Sequence, residues 1–265
     1  MSDETLSLKK IQGVELKMLE FLDSICEDAN IDYCLAYGSA LGAYRHAGFI
    51  PWDDDMDVYI RRRDSKRLFD LLDERGDGRY KVLRPCKTDG YFHPYAKLTD
   101  CSTQLIEPKN NKVDDMGVFI DLFLCDTVDN DCSQIRHRLK ILNFLNKIYC
   151  QVFVRNHEHS SLLLRTACGG LSKILNPIKA HQRIELLIEK MATDNGQYFV
   201  CPYDADYCIP VNWVFPTSKL QFEQRRFNVP GRIEQYLESM YGSEYMTPIR
   251  DDNSFHGIVC NRCQD

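Results

Sequence analysis

The chain has 265 residues, and its 33 Lys and Arg against 39 Asp and Glu give a formal net charge of −6. This acidic balance argues against a nucleic-acid-binding protein, which normally presents a basic face, although it leaves room for a local basic pocket. Apolar residues make up 44% and charged residues 27% of the chain, which excludes disordered and fibrous classes. No run of 18 apolar residues occurs, so no membrane-spanning helix is predicted.

The N-terminal segment is not predicted to be an export signal. Met1–Glu4 is acidic and polar, and the basic and then apolar stretch of a signal sequence does not follow it. We therefore expect a cytoplasmic protein. Disulfides are rare in a reducing compartment, so most of the 12 cysteines are expected to be reduced, small apolar residues.

Two cysteine pairs have spacings that metal sites use. Cys260 and Cys263 have two residues between them and His256 upstream, and Cys201 and Cys208 flank a loop of Pro, Tyr and Asp. A structural zinc needs four ligands, and the short tail supplies three at most. Zinc therefore stays a minor alternative to ordinary reduced cysteines.

The first half of the chain alternates helix and strand patterns. Apolar residues recur at helical spacing from Leu8 to Ala29, with charged residues on the opposite face, which predicts an amphipathic helix. The other predicted elements are strands over 31–37, 55–60, 80–84, 95–99 and 118–124, a short helix over 40–46, and a helix from an N-cap at Asp64 to about Glu74.

The second half is predicted to be mostly helical. Helix patterns cover about 133–156, 161–175 and 180–193, and a helix over 232–241 ends at Gly242. This order of elements predicts an α+β fold. We expect residues 1–130 to form the core and residues 131–265 a helical and C-terminal elaboration packed on it, as one globular unit.

The most informative segment runs from Tyr37 to Asp57 and ends in three alternating acids. Asp53, Asp55 and Asp57 are expected to leave one face of a strand, where their like charges raise one another's pKa values. A divalent cation removes this repulsion, and carboxylate oxygens suit Mg²⁺ or Mn²⁺. The apolar residues on both sides favour a metal site over an acidic turn in solvent.

Asp121 interrupts an apolar run, Val118–Leu124, that is predicted to be a buried strand. A buried carboxylate is normally paired or bound to a metal, because burying an unpaired charge is costly. Together with Asp55 and Asp57 it would complete a three-carboxylate metal site. The alternative is a salt bridge to an Arg or a Lys.

A phosphate-binding turn is predicted upstream of the acids. Gly38 and Ser39 stand at a strand-to-helix junction, where backbone N–H groups, a hydroxyl and the helix N-terminus suit a phosphate. Arg45, His46 and Lys97 are candidates for side chains that grip the phosphate. Each has a plainer alternative as a solvated side chain or, for His46, as the partner of an acid.

The segment Gly38–Asp57, with Ile-Pro-Trp-Asp-Asp-Asp at its centre, resembles the signature of the LicD family of phosphotransferases, whose eukaryotic relatives include fukutin and fukutin-related protein. The resemblance continues through the opening helix, Tyr95–Asp100 and Gly117–Phe123, and it returns near the C-terminus in 222–248. The segment from about 131 to 200 carries none of the family's motifs.

The resemblance implies a nucleotidyltransferase-like core, in which a Gly-Ser turn precedes an Asp-x-Asp strand and a third Asp stands on a neighbouring strand. Those positions fall on Gly38, Ser39, Asp55, Asp57 and Asp121. The stretch Arg45–Asp54 makes the gap between turn and strand longer than in typical nucleotidyltransferases, as in the LicD pattern, and implies a different donor pocket.

The resemblance also implies a reaction. LicD proteins are understood to move a phospho-alcohol, such as phosphocholine or a polyol phosphate, from a CDP-linked donor to a glycan hydroxyl, releasing CMP. In this hypothesis Asp55, Asp57 and Asp121 hold Mg²⁺ or Mn²⁺, and Asp53 acts as general base or as a further metal ligand. Two alternatives stay open: nucleotidyl transfer with release of pyrophosphate, and a non-catalytic scaffold with the same fold.

The expected partners follow from that reaction: a CDP-linked alcohol, a cell-surface glycan such as lipopolysaccharide or teichoic acid or its lipid-linked precursor, and no nucleic acid. Such a reaction would place the protein at the inner face of the plasma membrane. Peripheral membrane contact through the predicted helices of 133–175 is an alternative to a packed core, which their apolar residues more often form.

Overall fold

A computed structural model describes residues 5–91, 93–106, 113, 116–129, 136–137, 140–141, 177–250 and 258–261. The predicted helices over 133–156 and 161–175 therefore lie outside the described residues, apart from 136–137 and 140–141, which are helical. None of the helices in the described ranges is long and apolar enough to cross a membrane.

The elements follow one another in a mixed order of helices and strands. In chain order they are α1 (Leu8–Ala29), β1 (Tyr33–Leu35), α2 (Tyr37–His46), β2 (Asp57–Arg61), α3 (Arg62–Arg75), β3 (Tyr80–Leu83), β4 (Ala96–Asp100), β5 (Thr103–Ile106), β6 (Phe119–Val128), α4 (Pro177–Glu189), β7 (Tyr198–Cys201), β8 (Asp204–Pro210), α5 (Val211–Val214), β9 (Ser218–Phe222), β10 (Arg225–Val229), α6 (Ile233–Tyr241) and β11 (Ile258–Asn261).

A mixed sheet of seven strands with helices packed against it forms the centre of the protein, so the predicted α+β fold is confirmed. The strand order is β1-β2-β6-β4-β3, and the long strand β6 also pairs with β7, which pairs with β8. Strands β2 and β6 are parallel, and the other neighbours in this sheet are antiparallel. Two further antiparallel pairs are β9–β10 and β5–β11.

Most of the predicted elements are present in the structure, but several of them begin or end at other residues than predicted. α1 has the predicted bounds and buries its apolar face. β2 begins at Asp57 and not at Asp55, so only the last of the three alternating acids belongs to the strand. α3 begins at Arg62, which places Asp64 in its first turn and not at its N-cap. Strands β7 to β10 lie in a stretch for which no strand was predicted, and the division at residue 130 stays a prediction.

One buried tyrosine anchors the C-terminal helix α6 against the start of α2. Tyr236 is fully buried, and its hydroxyl oxygen accepts a hydrogen bond from the backbone N–H of Tyr37 at 3.0 Å. The same hydroxyl donates to that of Tyr59 on β2 at 3.3 Å. Tyr37 has a φ of 42°, an uncommon backbone conformation for a residue with a bulky side chain. The contact from α6 therefore holds the turn that leads into Gly38 and Ser39.

We expect Tyr236→Phe to lower the free energy of unfolding by about 1–3 kcal/mol, because the buried N–H of Tyr37 would lose its acceptor. Urea unfolding measures this change. Tyr241→Phe on the same helix is the matched control, since Tyr241 is 44% exposed and its replacement should change stability by less than about 0.5 kcal/mol. Equal effects of the two substitutions would contradict the anchoring role.

Candidate active site

Three neighbouring strands bring Asp57, Asp121 and Lys97 into one row across the sheet. Asp57 on β2 is the register partner of Asp121 on the parallel strand β6. Asp121 in turn faces Lys97 on the antiparallel strand β4. All three residues are buried, with exposed fractions of 9%, 5% and 2%. We call this set the acidic row.

The buried carboxylate of Asp121 is paired with the ammonium group of Lys97. Lys97 Nζ also lies 3.4 Å from the centre of the Phe119 ring, whose face attracts a cation. Of the two possibilities for Asp121, the structure therefore contains the salt bridge to a lysine. The roles of Asp121 as a metal ligand and of Lys97 as a phosphate-gripping residue stay predictions.

Asp57 combines burial with a crowded negative environment. Its backbone N–H donates to Oγ of Ser39 at 2.9 Å, so the hydroxyl of the predicted phosphate turn also holds the start of β2. Burial raises the pKa of the Asp57 carboxyl well above its usual range, and the charges of Asp55, Asp121 and Asp53 raise it further. The neighbouring lysine opposes this shift without cancelling it.

The loop over 53–56 holds the other acids in front of β2. The side-chain amide of Gln12 on α1 donates to the backbone carbonyl oxygen of Asp53 at 2.8 Å. The Asp53 side chain lies against Gly38, where an added Cβ atom would stand 2.9 Å from Asp53 Oδ2. A side chain at position 38 would therefore require the Asp53 carboxylate to shift. Gly38, Ser39 and Asp53 thus meet at the N-terminus of α2.

Arg45 and His46 lie at the opposite end of α2 from Gly38. Arg45 stands seven residues after Gly38, about 10 Å along the helix axis. Arg45 Nη1 donates to the carbonyl oxygen of Tyr245 at 2.8 Å and so holds the segment that follows α6. The His46 ring packs edge-on against Trp52, with 6.5 Å between ring centres. The structure does not bring these two side chains to the acidic row, and their contact with a donor phosphate stays a prediction.

Two acids that the sequence patterns did not single out also belong to this region. Glu15 on α1 is 1% exposed, and Asp54 is 7% exposed. Burial raises the pKa of Glu15 well above its usual range, and the next contributions come from Asp55, Asp54 and Asp53. A signal for Glu15 was present in the sequence, because it stands four residues after Ile11 on the apolar stripe of an amphipathic helix.

A row of aromatic side chains lies next to the acidic row. An aromatic residue stands two positions after each acid, on the same face of its strand, and another stands two positions before Lys97. These residues are Tyr59, Phe123 and Tyr95. The ring centres of Tyr95 and Phe123 are 4.6 Å apart, and the ring of Tyr203 lies 5.8 and 6.1 Å from them. Tyr95, Phe123 and Tyr203 are only partly buried, so a ligand can reach them.

The chemistry of these side chains suits a hard divalent cation. The available donors are carboxylates, and a cation would offset their mutual repulsion. Glu15 Oε2 is buried and has no hydrogen-bond partner within the described residues. Yet no three His, Cys, Asp or Glu side chains in the described part of the chain converge closely enough to enclose an ion. A cation with three protein carboxylates as ligands would therefore require these side chains to move toward one another.

The cysteine pairs add nothing in favour of zinc. Cys201 is a buried free thiol, whereas Cys208 is disulfide-bonded, so these two do not form a metal-binding pair here. Cys260 lies in β11, but its side chain, His256 and Cys263 are outside the described residues. Zinc at the tail therefore stays an untested alternative.

The segment that contains α2, β2 and β6 matches a family model in sequence. Residues 30–138 match the model described as LicD/FKTN/FKRP, nucleotidyltransferase domain. The lipopolysaccharide cholinephosphotransferase LicD of Haemophilus influenzae is 29% identical to this chain over 271 aligned residues, which cover 96% of this chain and 97% of that protein. By sequence, residues 30–138 thus match a nucleotidyltransferase domain.

Two shorter matches are to uncharacterised proteins. One of Rickettsia prowazekii is 33% identical over 76 residues, 27% of this chain and 29% of that protein. One of Rickettsia typhi is 38% identical over 53 residues, 20% of this chain and 17% of that protein. The matched domain of residues 30–138 and the near-full-length similarity support an assignment to the LicD family.

We expect Asp57→Asn to raise the free energy of unfolding at neutral pH when no divalent cation is present. The pKa of Asp57 is raised in the folded state, so wild-type stability falls as the pH rises from about 4 toward that raised pKa. The amide of the variant does not titrate and so does not lose stability in this way. The gain in free energy of unfolding of the variant over the wild type should therefore be larger at about pH 8 than at about pH 5. Urea unfolding in EDTA at both pH values measures it, and a variant less stable than the wild type at both would refute the assignment.

Proposed function

We propose that this protein transfers a phosphocholine group from a CDP-linked donor to a hydroxyl of lipopolysaccharide or a related cell-surface glycan, releasing CMP. The near-full-length similarity to a lipopolysaccharide cholinephosphotransferase supports the reaction class. The observation that carries the proposal is the acidic row of Asp57, Asp121 and Lys97, which stands beside the Gly38–Ser39 turn through the hydrogen bond from Asp57 to Ser39.

Transfer at phosphorus needs positioning and charge neutralisation more than covalent chemistry from the protein. A divalent cation held by Asp55, Asp57 and Asp121 would supply the positive charge that stabilises the leaving CMP. Gly38 and Ser39, at the N-terminus of α2, orient the phosphate oxygens of the donor through backbone N–H groups. The ion pair of Lys97 with Asp121 keeps that carboxylate in place.

Asp53 is the proposed general base. Its carboxylate lies against Gly38 at the N-terminus of α2, and the residue is partly exposed. It can therefore reach both the phosphate and an acceptor that approaches from solvent. There it takes the proton of the acceptor hydroxyl while the oxygen attacks phosphorus.

The aromatic side chains favour choline over a polyol as the transferred alcohol. A quaternary ammonium group is attracted to aromatic faces, whereas ribitol and glycerol present only hydroxyl groups. Tyr95, Phe123 and Tyr203 offer partly exposed rings. Their row stands about 7 Å along the strands from the acidic row, a spacing that one phosphocholine group can bridge.

The reaction can be tested by mass spectrometry of CMP. The full chain is incubated with Mg²⁺, a glycan extract and CDP-choline, CDP-ethanolamine, CDP-glycerol or CDP-ribitol. We expect CMP from CDP-choline, lost in EDTA, and a rate at least about 100-fold lower in Asp57→Asn, since even the outer partners of metal ligands contribute roughly 10- to 100-fold. Asp28→Asn, which removes an exposed acid at the end of α1, is the control and should retain the wild-type rate.

Other outcomes of the same assay would reject the proposal. Pyrophosphate from CTP, without CMP from any CDP-alcohol, would indicate nucleotidyl transfer. CMP from CDP-ribitol or CDP-glycerol alone would keep phosphotransfer and reject choline. No turnover, together with no binding of cation or nucleotide, would indicate a scaffold.

We expect Tyr95→Leu to raise KM for CDP-choline by about 5- to 30-fold, because a desolvated cation–π contact is worth roughly 1–2 kcal/mol. Tyr95→Phe keeps the ring and should stay close to the wild type. Steady-state kinetics with CDP-choline and CDP-ethanolamine measure the change. A KM for CDP-choline that does not respond to loss of the ring would remove Tyr95 from the choline site.

The location follows from the proposed acceptor. A donor made in the cytoplasm and a glycan built on a lipid carrier meet at the inner face of the plasma membrane, and we place the protein there within the proposal. Residues 133–175, for which peripheral membrane contact is an alternative, lie almost wholly outside the described residues.

A further inference from the structure

A buried acid on α1 stands beside the acidic row. Glu15 on α1 is 1% exposed, and its Oε2 atom has no hydrogen-bond partner within the described residues. Buried carboxylates are normally paired, because burying one alone carries the full desolvation penalty. A position that served packing alone would hold an apolar side chain, as Ile11 does one turn earlier on the same stripe.

The environment of Glu15 consists of the other acids of the candidate site. After burial, the influences that raise its pKa are the charges of Asp55, Asp54, Asp53 and Asp121, in that order. Each of these charges repels the carboxylate of Glu15, so none of them serves as its partner. A bound cation would turn the same arrangement from repulsive to attractive.

A separate contact, which involves no charge, holds α1 against the acidic loop. Gln12 and Glu15 are three residues apart and therefore share one face of the helix. Gln12 Nε2 donates to the backbone carbonyl oxygen of Asp53 at 2.8 Å and lies 3.4 Å from that of Ile50. The next turn of α1 is thereby placed beside the loop that holds the acids.

We propose that Glu15 is a cation-binding residue of this site and acts together with Asp55, Asp57 and Asp121. The inference rests on the proposed cation-dependent function and extends it to α1, which lies outside the matched domain of 30–138. The cation is a hard divalent ion such as Mg²⁺ or Mn²⁺, because all the donors are carboxylate oxygens. No three His, Cys, Asp or Glu side chains of the described residues are grouped closely enough to hold an ion, so a site of these four acids requires their side chains to move toward one another.

Titration of the full chain with Mn²⁺, followed through the electron paramagnetic resonance signal of the free ion, tests the role of Glu15. We expect Glu15→Gln to raise the Kd for Mn²⁺ by about tenfold or more, the scale of effect seen around metal sites. The variant without Mn²⁺ should be more stable than the wild type, and Mn²⁺ should raise its Tm less. A Kd that rises less than about threefold would overturn the proposal.

Asp23→Asn is the matched control on the same helix. Asp23 is 7% exposed, and its Oδ1 atom accepts a hydrogen bond from the Tyr33 hydroxyl at 2.6 Å, so it is a buried acid with a partner. Its replacement removes a buried charge from the same helix and should leave the Kd for Mn²⁺ unchanged. An equally unchanged Kd in Glu15→Gln would show a structural role and overturn the proposal.

Hydrogen exchange on the wild-type protein gives a second test that does not require a folded variant. We expect Mn²⁺ to slow exchange in the peptide that spans Glu15 as well as in the loop over 53–57. Slower exchange in the loop alone would overturn the proposal.

The assay of CMP release separates this inference from the proposed reaction. Mn²⁺ binding that Glu15→Gln weakens, without CMP release by the wild type, would support Glu15 and reject the reaction. A wild-type protein that binds no Mn²⁺ would reject both.

Discussion

The parallel pairing of β2 with β6 forces Asp57 and Asp121 side by side in a buried position, and the antiparallel strand β4 adds Lys97 on the far side. The negative charges near Asp57 exceed the single positive charge of Lys97, because the loop before β2 adds Asp53 and Asp55. Without a cation, the protein meets this constraint by pairing one carboxylate with the lysine and by favouring the protonated form of Asp57. In the proposed function, a divalent ion relieves the same constraint.

Elements from both ends of the chain hold this row in place. At the N-terminal end, α1 fixes the acidic loop through the contact of Gln12 with the backbone of Asp53. At the C-terminal end, α6 reaches the start of α2 through Tyr236 and so holds the turn before Gly38. Ser39 connects that turn to β2 by accepting the N–H of Asp57. The geometry of the site therefore depends on contacts between residues that are distant in the sequence.

The sheet presents two kinds of chemistry on one face. The acidic row suits a cation and a diphosphate, and the neighbouring aromatic side chains, among them Tyr95 and Phe123, suit an alcohol that carries a quaternary ammonium group. A CDP-linked choline donor has both features in one molecule. This correspondence supports the proposed function independently of the similarity to a lipopolysaccharide cholinephosphotransferase.

The sequence by itself determined the local features: the bounds of α1, a helix that begins close to Gly38 and Ser39, and the presence of an acid in the buried strand at Asp121. The structure begins that helix at Tyr37, so Gly38 and Ser39 lie in its first turn and not before it. These local features depend on spacing and residue type within a short segment. Only the tertiary structure decided that Asp121 pairs with Lys97, that Glu15 stands among the acids, and that Tyr95 meets Phe123. These contacts depend on which strands pair, on their register and on how α1 packs against them. Because such pairings join residues that are distant in the sequence, no short segment of a single sequence predicts them.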